Sequence, residues 1–314
     1  MSSFGLKNVQ VVNSENFTSN MGIKMRRIIN KPLKGVLKVA TGKKIIIDRY
    51  PELEKDEQYI FASTHYFNED IIAGMAALDR PAYVLIGTTD QVENNPLMNA
   101  AWLYGLIYVD RLNTESRKDS VKKMERILNN GSSILMFPEG GWNNTENLLC
   151  QTLFAGPYTL AKKTGKKVVA ISTFSDPDSK EIHIQVSDPI DLKKMEKEEA
   201  LSTLRDTMAS QMYDSIEKHS IPLERANLSG DIHLQHMENR KKEYLKVKWT
   251  RDVWDEELTV YQSKSITTPA QVRESLKDVN ITPENANLIA PILTEYEEDK
   301  KHDFKIYMKK NWNK

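Results

Sequence analysis

The sequence of 314 residues contains a single cysteine, Cys150, so no disulfide can form within the chain and nothing points to an oxidising compartment. Residues 1–20 lack the apolar stretch of a secretory signal peptide, and none is expected. No run reaches the roughly 18 apolar residues that a membrane-spanning helix needs. The nearest, residues 96–109, is interrupted by Asn99 and is typical of a buried or interfacial segment. These absences predict an intracellular protein, soluble or bound peripherally to a membrane.

The sequence also has no excess of basic or acidic residues: 44 of each give a formal net charge of zero. Overall charge therefore predicts no polyanionic partner, and any electrostatic targeting has to be local. A Gly-rich phosphate loop and an aromatic-basic nucleic-acid motif are both absent from the sequence. We therefore expect no nucleic-acid partner.

Residues 16–47 contain no acid, and basic residues accumulate there. Apolar residues recur at helical spacing in this segment: Met25, Ile29, Leu33, Val36, Leu37 and Ala40. A basic stripe follows the same period: Arg27, Lys31, Lys34 and Lys38. Pro32 predicts a break or kink that gives two short helical pieces. The pattern fits a helix on an anionic membrane surface and, equally, a helix packed on the domain with its lysines in water.

Apolar runs alternate with helical patterns in the middle of the chain, which predicts an α/β domain over residues 44–220. We expect a central mixed sheet flanked by helices. The predicted strands are 44–48, 59–63, 82–86, 106–109, 133–137, 168–173 and 182–186. The predicted helices are 71–78, 95–104, 115–128, 154–163 and 195–218. The flanking segments are predicted as an N-terminal basic amphipathic segment, 1–43, and a polar, mostly helical C-terminal extension, 221–314.

A His-x4-Asp spacing, His65 to Asp70, follows one predicted strand and precedes a predicted helix. Within one helix, residues five apart point about 140° away from each other and do not meet. With His65 in the loop and Asp70 in the first helical turn, for which Asn68 is the predicted N-cap, the carboxylate can fold back onto the imidazole. An aspartate on one ring nitrogen makes the other a general base for a hydroxyl.

Two further motifs follow predicted strands. Phe137-Pro138-Glu139-Gly140-Gly141 predicts a sharp loop that can hold an oxyanion or orient a substrate, with Glu139 as its polar anchor. Gly105-Leu106-Ile107-Tyr108-Val109-Asp110-Arg111 ends in an arginine that can grip a phosphate. Each signal alone is equally compatible with an ordinary turn or a surface ion pair.

The remaining candidates for chemistry are weaker. Nothing around Cys150 suggests a lowered pKa, which favours an inert buried thiol. His233 and His236 stand three apart, but the interpretation we favour is a solvated helix face. We expect no bound metal and no cofactor.

Four features in this order resemble the four blocks of glycerolipid acyltransferases. They are His65-x4-Asp70, the Gly-x4-Asp-Arg strand, Phe-Pro-Glu-Gly and the apolar strand Val168 to Ile171. The type most similar is the lysophosphatidate (1-acyl-glycerol-3-phosphate) acyltransferase, and the resemblance covers residues 44 to about 190. It implies acyl transfer, without a covalent acyl-enzyme, from acyl-CoA or acyl-carrier protein to a lysolipid hydroxyl in phospholipid biosynthesis. His65 and Asp70 are then catalytic, and Arg111, Glu139, Gly140 and Gly141 bind substrate. A cytoplasmic protein on the inner face of an anionic membrane is expected.

The sequence departs from the family pattern at three places. Thr64 stands where asparagine is usual, Gly141-Trp142 follows Phe-Pro-Glu-Gly where Thr-Arg is common, and Phe154-Ala155 precedes Gly156 where a basic residue is frequent. Two basic groups expected near the acceptor are therefore missing. A less anionic acceptor, such as another lysolipid or an amino-acid lipid, is the first alternative. A non-catalytic lipid-binding protein of the same fold and a thioesterase-like hydrolase are the others.

Overall fold

The structure is a computed structural model that describes residues 15–67, 69–87, 105–109, 113–143, 148–176, 178–221 and 282. The chain divides into two compact units, Met1–Glu257 and Leu258–Lys314, and every helix and strand named below belongs to the first. The predicted helix 95–104 and nearly all of the predicted C-terminal extension lie outside the described residues. The domain boundaries at 43/44 and 220/221 stay predictions.

Helices and strands alternate along the described chain. The helices are α1 (Asn20–Ala40), α2 (Asp70–Ala77), α3 (Thr114–Asn129), α4 (Gly156–Thr164) and α5 (Lys197–His219), with short 3-10 turns at Glu15–Thr18 and Leu192–Lys194. The strands are β1 (Lys44–Arg49), β2 (Ile60–Ser63), β3 (Ala82–Ile86), β4 (Leu106–Tyr108), β5 (Ser133–Met136), β6 (Val168–Phe174) and β7 (Glu181–Val186). Each described strand and helix of the α/β domain confirms a predicted one, with ends that differ by one or two residues.

The described strands form one mixed sheet in the order β1-β7-β6-β2-β5-β3-β4. Five strands are mutually parallel: β6, β2, β5, β3 and β4. Strand β7 runs antiparallel to β6, and β1 is parallel to β7. The carboxyl ends of β2, β5 and β4 therefore lie at one edge of the sheet. Loops at that edge of a parallel sheet are where α/β folds place their sites. The His65, Arg111 and Glu139 motifs follow these three strands.

Alternate residues of each central strand enter different cores, because successive side chains of a strand point to opposite faces. Phe61 and Leu135 pack on one face with α2, and Ile60 and Ile134 pack on the other with α3, α4 and α5. All four residues of β2 are buried. The strand that leads into His65 is therefore rigidly held from both faces.

Helix α1 is continuous across Pro32, so the predicted break into two pieces is wrong. Proline removes one backbone hydrogen bond, and packing of the helix against the domain compensates for that loss. Ile23 and Leu37 are buried on either side of Pro32, and Arg26 is buried with its guanidinium donating to the carbonyl of Ala82. The helix is thus docked on the domain along one face.

Candidate active site

The loop between β2 and α2 brings His65 and Asp70 together as the spacing predicted. The Nδ1 of His65 lies 3.1 Å and 3.0 Å from the two carboxylate oxygens of Asp70. Asp70 is fully buried, and its Oδ2 also accepts hydrogen bonds from the backbone N–H groups of Tyr66 (2.6 Å) and Phe67 (3.1 Å). The chain reverses within this loop, so that the first helical residue reaches back to it. The N-cap position of α2 is Glu69, and Asn68 lies outside the described residues.

Asp70 fixes the orientation of the imidazole, and the other ring nitrogen, Nε2, is left for chemistry. A neutral His65 that donates its Nδ1 proton to a carboxylate carries a basic lone pair on Nε2. The ring packs against Phe137, with centroids 4.8 Å apart, and meets Trp142 edge-on at 6.2 Å. Only 14% of the side chain is exposed. The site therefore presents one oriented, largely desolvated base.

The backbone of His65 is held on both sides by the loop after β5. Its N–H donates to Glu139 Oε1 at 3.0 Å, and its carbonyl accepts from the N–H of Asn143 at 2.7 Å. These two bonds join the loop after β2 to the loop after β5 at the shared edge of the sheet. The position of the base is therefore fixed by its main chain as well as by Asp70.

Glu139 is fully buried and links three segments. Its second oxygen, Oε2, accepts the N–H of Gln151 at 2.8 Å. Burial raises the pKa of Glu139 to about 7, although both backbone donors and the neighbouring His65 oppose that rise. Both oxygens are thus engaged with main-chain donors inside the protein. The predicted substrate-binding role of Glu139 stays a prediction, and its described contacts are those of a support for His65.

The two glycines after Glu139 shape a tight turn. Gly140 has a φ of 79°, a left-handed conformation that favours glycine, and its N–H donates to the carbonyl of Phe137 at 2.9 Å. Gly141 is buried beside it. The turn explains why the motif needs glycine. Substrate binding by either residue stays a prediction, as does that by Arg111, which lies outside the described residues together with Asp110.

Thr64, which departs from the family pattern, has a structural position. It is buried, its N–H donates to the carbonyl of Ile171 at 3.0 Å, and its hydroxyl accepts from the N–H of Thr173 at 3.1 Å. The side chain therefore extends the pairing of β2 with β6 beyond the end of β2. This anchors the residue that immediately precedes the base.

Sequence reasoning missed Gln151 and Asn143. Besides its backbone bond to Glu139, Gln151 donates its side-chain amide to the carbonyl of Trp142 at 3.1 Å. Asn143 donates its side-chain amide to the carbonyl of Leu148 at 2.7 Å. No motif marks either residue, because the side-chain amides bind backbone carbonyls and the bond of Gln151 to Glu139 comes from its main-chain N–H. Cys150 is buried in the same segment, and burial raises the pKa of its thiol well above the ordinary value, as expected of an inert thiol.

Comparison with known proteins agrees with this geometry. Residues 44–177 match the family model described as Acyltransferase. Among solved structures, the chain resembles the 1-acyl-sn-glycerophosphate (LPA) acyltransferase PlsC from Thermotoga maritima, with a TM-score of 0.52 and 14% identity over 69% of this chain and 100% of that one. This likeness shows the fold, and no curated protein matches significantly in sequence. Residues 44–177 are therefore an acyltransferase domain, and its fold is that of a solved glycerolipid acyltransferase.

Proposed function

We propose that this acyltransferase moves a fatty-acyl group from acyl-CoA or acyl-carrier protein to the hydroxyl of a lysophospholipid such as 1-acyl-glycerol-3-phosphate. The observation that carries the proposal is the contact of His65 Nδ1 with both oxygens of the buried Asp70. A base of this kind suits removal of a proton from an alcohol. The solved structure that this chain resembles is an acyltransferase named for this acceptor.

In the proposed reaction, Nε2 of His65 takes the proton from the acceptor hydroxyl. The oxygen forms a bond to the thioester carbonyl carbon, and the tetrahedral intermediate then breaks its C–S bond. The thiolate leaves and receives the proton from His65, so that the enzyme returns to its starting state. Asp70 stays ionised throughout, since it accepts two backbone N–H groups and stabilises the imidazolium.

The oxyanion needs a hydrogen-bond donor near the carbonyl carbon. The N–H of Gly140 is engaged in its own turn, so we assign this role to the N–H of Gly141. Arg111 would hold the phosphate of the acceptor, because its guanidinium can form two parallel hydrogen bonds to phosphate oxygens.

A second candidate is transfer to a less anionic acceptor, such as another lysolipid or an amino-acid lipid. Trp142 favours it, because this residue meets His65 edge-on where a Thr-Arg pair is common in the family. An indole offers apolar surface and one N–H donor, whereas an arginine offers a positive charge. The acceptor beside His65 would then be recognised with fewer charges.

Free-thiol release from a long-chain acyl-CoA tests both candidates. It is measured with and without a panel of lysolipids that includes 1-acyl-glycerol-3-phosphate, and with an acyl-carrier-protein donor in parallel. Release that requires one acceptor and disappears in His65→Ala would support transfer and identify the acceptor. Release that is independent of every acceptor would support a thioesterase and overturn the proposal. If neither donor gives release, the non-catalytic alternative is favoured.

We also propose that α1 holds the enzyme on an anionic membrane. The face of α1 away from the domain carries exposed apolar side chains at helical spacing: Met21, Met25, Ile28, Val36 and Val39. Exposed basic residues flank them: Lys24, Arg27, Lys31 and Lys38. The two interpretations of the sequence pattern are thus compatible, because one face packs on the domain while the other remains open. None of the described helices is long and apolar enough to span a bilayer.

The membrane proposal is tested by sedimentation with vesicles that contain phosphatidylglycerol. Lys31→Gln/Lys38→Gln should weaken binding about 30-fold, because each basic residue near an anionic surface contributes about 1 kcal/mol. Lys118→Gln/Lys122→Gln makes the same charge change at exposed positions of α3 and serves as the control. Equal binding of the two double variants would exclude α1 as the membrane contact.

A further inference from the structure

A second cluster of side chains that can ligate a metal lies at the β1 edge of the sheet. Asp48 of β1, His183 of β7 and His219 at the end of α5 each offer a ligand atom, and these atoms all lie within 4.8 Å of one another. His183 Nδ1 is 3.2 Å from Asp48 Oδ2, and His219 Nε2 is 3.1 Å from the same oxygen. Three separate elements therefore converge on one point.

Hydrogen bonding alone leaves this cluster incomplete. The Nε2 of His219 is buried and forms no hydrogen bond within the described residues, although the carboxylate oxygen is near enough. Its N–H direction therefore does not point at that oxygen. The two imidazole rings stack, with centroids 3.5 Å apart and planes 12° from parallel, so their in-plane nitrogen lone pairs lie side by side and do not converge in this arrangement. A buried polar atom without a partner usually signals a missing group.

We propose that Asp48, His183 and His219 bind a divalent first-row transition metal, with Zn²⁺ as the best fit. Zn²⁺ bonds histidine nitrogen and carboxylate oxygen at about 2.0–2.2 Å, and tetrahedral geometry then separates its ligand atoms by about 3.3 Å. The two nitrogen-to-oxygen distances of 3.2 Å and 3.1 Å match that separation. Because an imidazole binds a metal through a lone pair in its ring plane, the ion requires the partly exposed ring of His219 to turn out of its stack with His183. Two imidazoles and one carboxylate leave one position for water.

The surroundings of the cluster favour a cation. The second ring nitrogen of His183, Nε2, lies 3.6 Å from Glu181 Oε2, and ligating histidines commonly direct their second nitrogen to a carboxylate. His219 is the last residue of α5, where the negative end of the helix dipole attracts positive charge. Two basic side chains of β1 are already paired, Arg49 with Asp188 and Lys44 with Glu181.

The metal would join the carboxyl end of α5 to the edge strand of the sheet. Strand β1 is held in the sheet only through β7, so it is the least supported strand on this side. A bond from Asp48 to the ion and from the ion to His219 would tie β1 to the helix that leads out of the domain. His219 is 23% and Asp48 is 20% exposed, which gives an ion access from solvent. The inferred role is structural and independent of the acyl transfer.

The test is titration of Zn²⁺ into the full chain, freed of metal by a chelator and carrying no histidine tag, by isothermal calorimetry. Co²⁺ substitution adds a second readout, since tetrahedral Co²⁺ absorbs strongly in the visible range. His219→Ala and Asp48→Asn each remove one ligand and should raise the dissociation constant at least about 100-fold, because even loss of an outer partner costs 10–100-fold. Glu181→Gln removes such an outer partner and should cost about 10-fold.

His233→Ala/His236→Ala is the matched control, because it removes the only other pair of closely spaced histidines in the sequence. One equivalent bound by wild type and by this control, with loss in both ligand variants, would support the site. Absence of binding by wild type would overturn it. Binding that survives both ligand variants, or that disappears in the control, would place the metal elsewhere and also overturn it.

Discussion

Two histidine–aspartate pairs among the described residues have similar distances but different surroundings. His65 Nδ1 lies 3.0 Å from the nearer oxygen of Asp70, and His183 Nδ1 lies 3.2 Å from that of Asp48. Asp70 is fully buried and accepts two backbone N–H groups besides the imidazole. Asp48 is partly exposed and shared between two stacked imidazoles.

The difference shows how the surroundings of a pair decide its chemistry. A single imidazole with one fixed carboxylate has a defined tautomer and one free nitrogen, which is what proton transfer requires. Two imidazoles beside one carboxylate place three ligand atoms within reach of one metal ion. The following predictions separate the two pairs, in order of decreasing effect.

The largest effect is expected at the base itself. His65→Ala should lower acyl transfer by about 10⁴-fold, since general-base catalysis contributes 10²–10⁴-fold and no other described side chain contacts Asp70 in its place. Acceptor-dependent thiol release measures this loss. Circular dichroism and thermal unfolding should be near wild type, because the substitution keeps the backbone hydrogen bonds of His65 to Glu139 and Asn143. Activity within tenfold of wild type would remove His65 from the mechanism.

Asp70→Asn should reduce turnover by about 10³-fold, by analogy with tautomer loss in hydrolytic triads. The amide keeps the size of the side chain and can still accept from the loop, but it no longer stabilises an imidazolium. The measured quantity is kcat, with KM for the acceptor nearly constant. A loss that appears only in KM would mean that Asp70 positions substrate and does not assist the base.

The local site could be predicted from the sequence, whereas the distant one could not. His65 and Asp70 stand five apart in the chain, and the strand and helix that flank them are marked by apolar periodicity. Asp48 and His183 are 135 residues apart and meet only because β1 pairs with β7. No spacing in the sequence indicates that pairing. Gln151 was missed for a different reason, because it holds Glu139 through a main-chain N–H, which no residue type marks.

Two other differences come from tertiary packing, which overrides local preference. Pro32 predicted a break, yet contacts of Ile23 and Leu37 with the cores keep α1 helical through it. The apolar pattern of α1 predicted one stripe, but Leu37 packs inward while Val36 points to solvent. Periodicity locates a helix well, but the tertiary structure decides which of two adjacent apolar positions becomes buried.

Glu139 contacts the His65–Asp70 pair and not the His183–Asp48 pair. The pH dependence of the free energy of unfolding that comes from Glu139 therefore reports on the first pair. Its pKa is raised from 4.5 to about 7 in the folded protein, chiefly by burial. A raised carboxyl pKa means that the folded state binds the proton more tightly, so the stability from Glu139 is full below pH 4.5 and is lost as pH rises to about 7. Relative to Glu139→Gln, wild type should therefore lose on the order of 3 kcal/mol across this window.

Urea unfolding of both proteins between pH 4.5 and 7.5 measures that difference, and titration of all other groups cancels between them. Glutamine is the change matched in size, because it does not ionise; its amide oxygen accepts one of the two backbone N–H groups, and the bond that its NH2 group cannot accept is lost at every pH. A wild type that gains stability over the variant as pH rises would mean that the two N–H donors outweigh burial. Glu139 would then be ionised at neutral pH.

The smallest effect is the response of each pair to Zn²⁺. At a free concentration ten times the dissociation constant, binding to the folded state alone adds about 1.4 kcal/mol, which raises Tm by roughly 3–5 °C. His65→Ala should show the same rise as wild type, whereas His219→Ala should show none. Differential scanning fluorimetry with and without ZnCl₂ measures both. If His65→Ala lost the rise, the ion would bind at the first pair. The oriented base and the metal cluster would then be one site, and the distinction between the two pairs would fail.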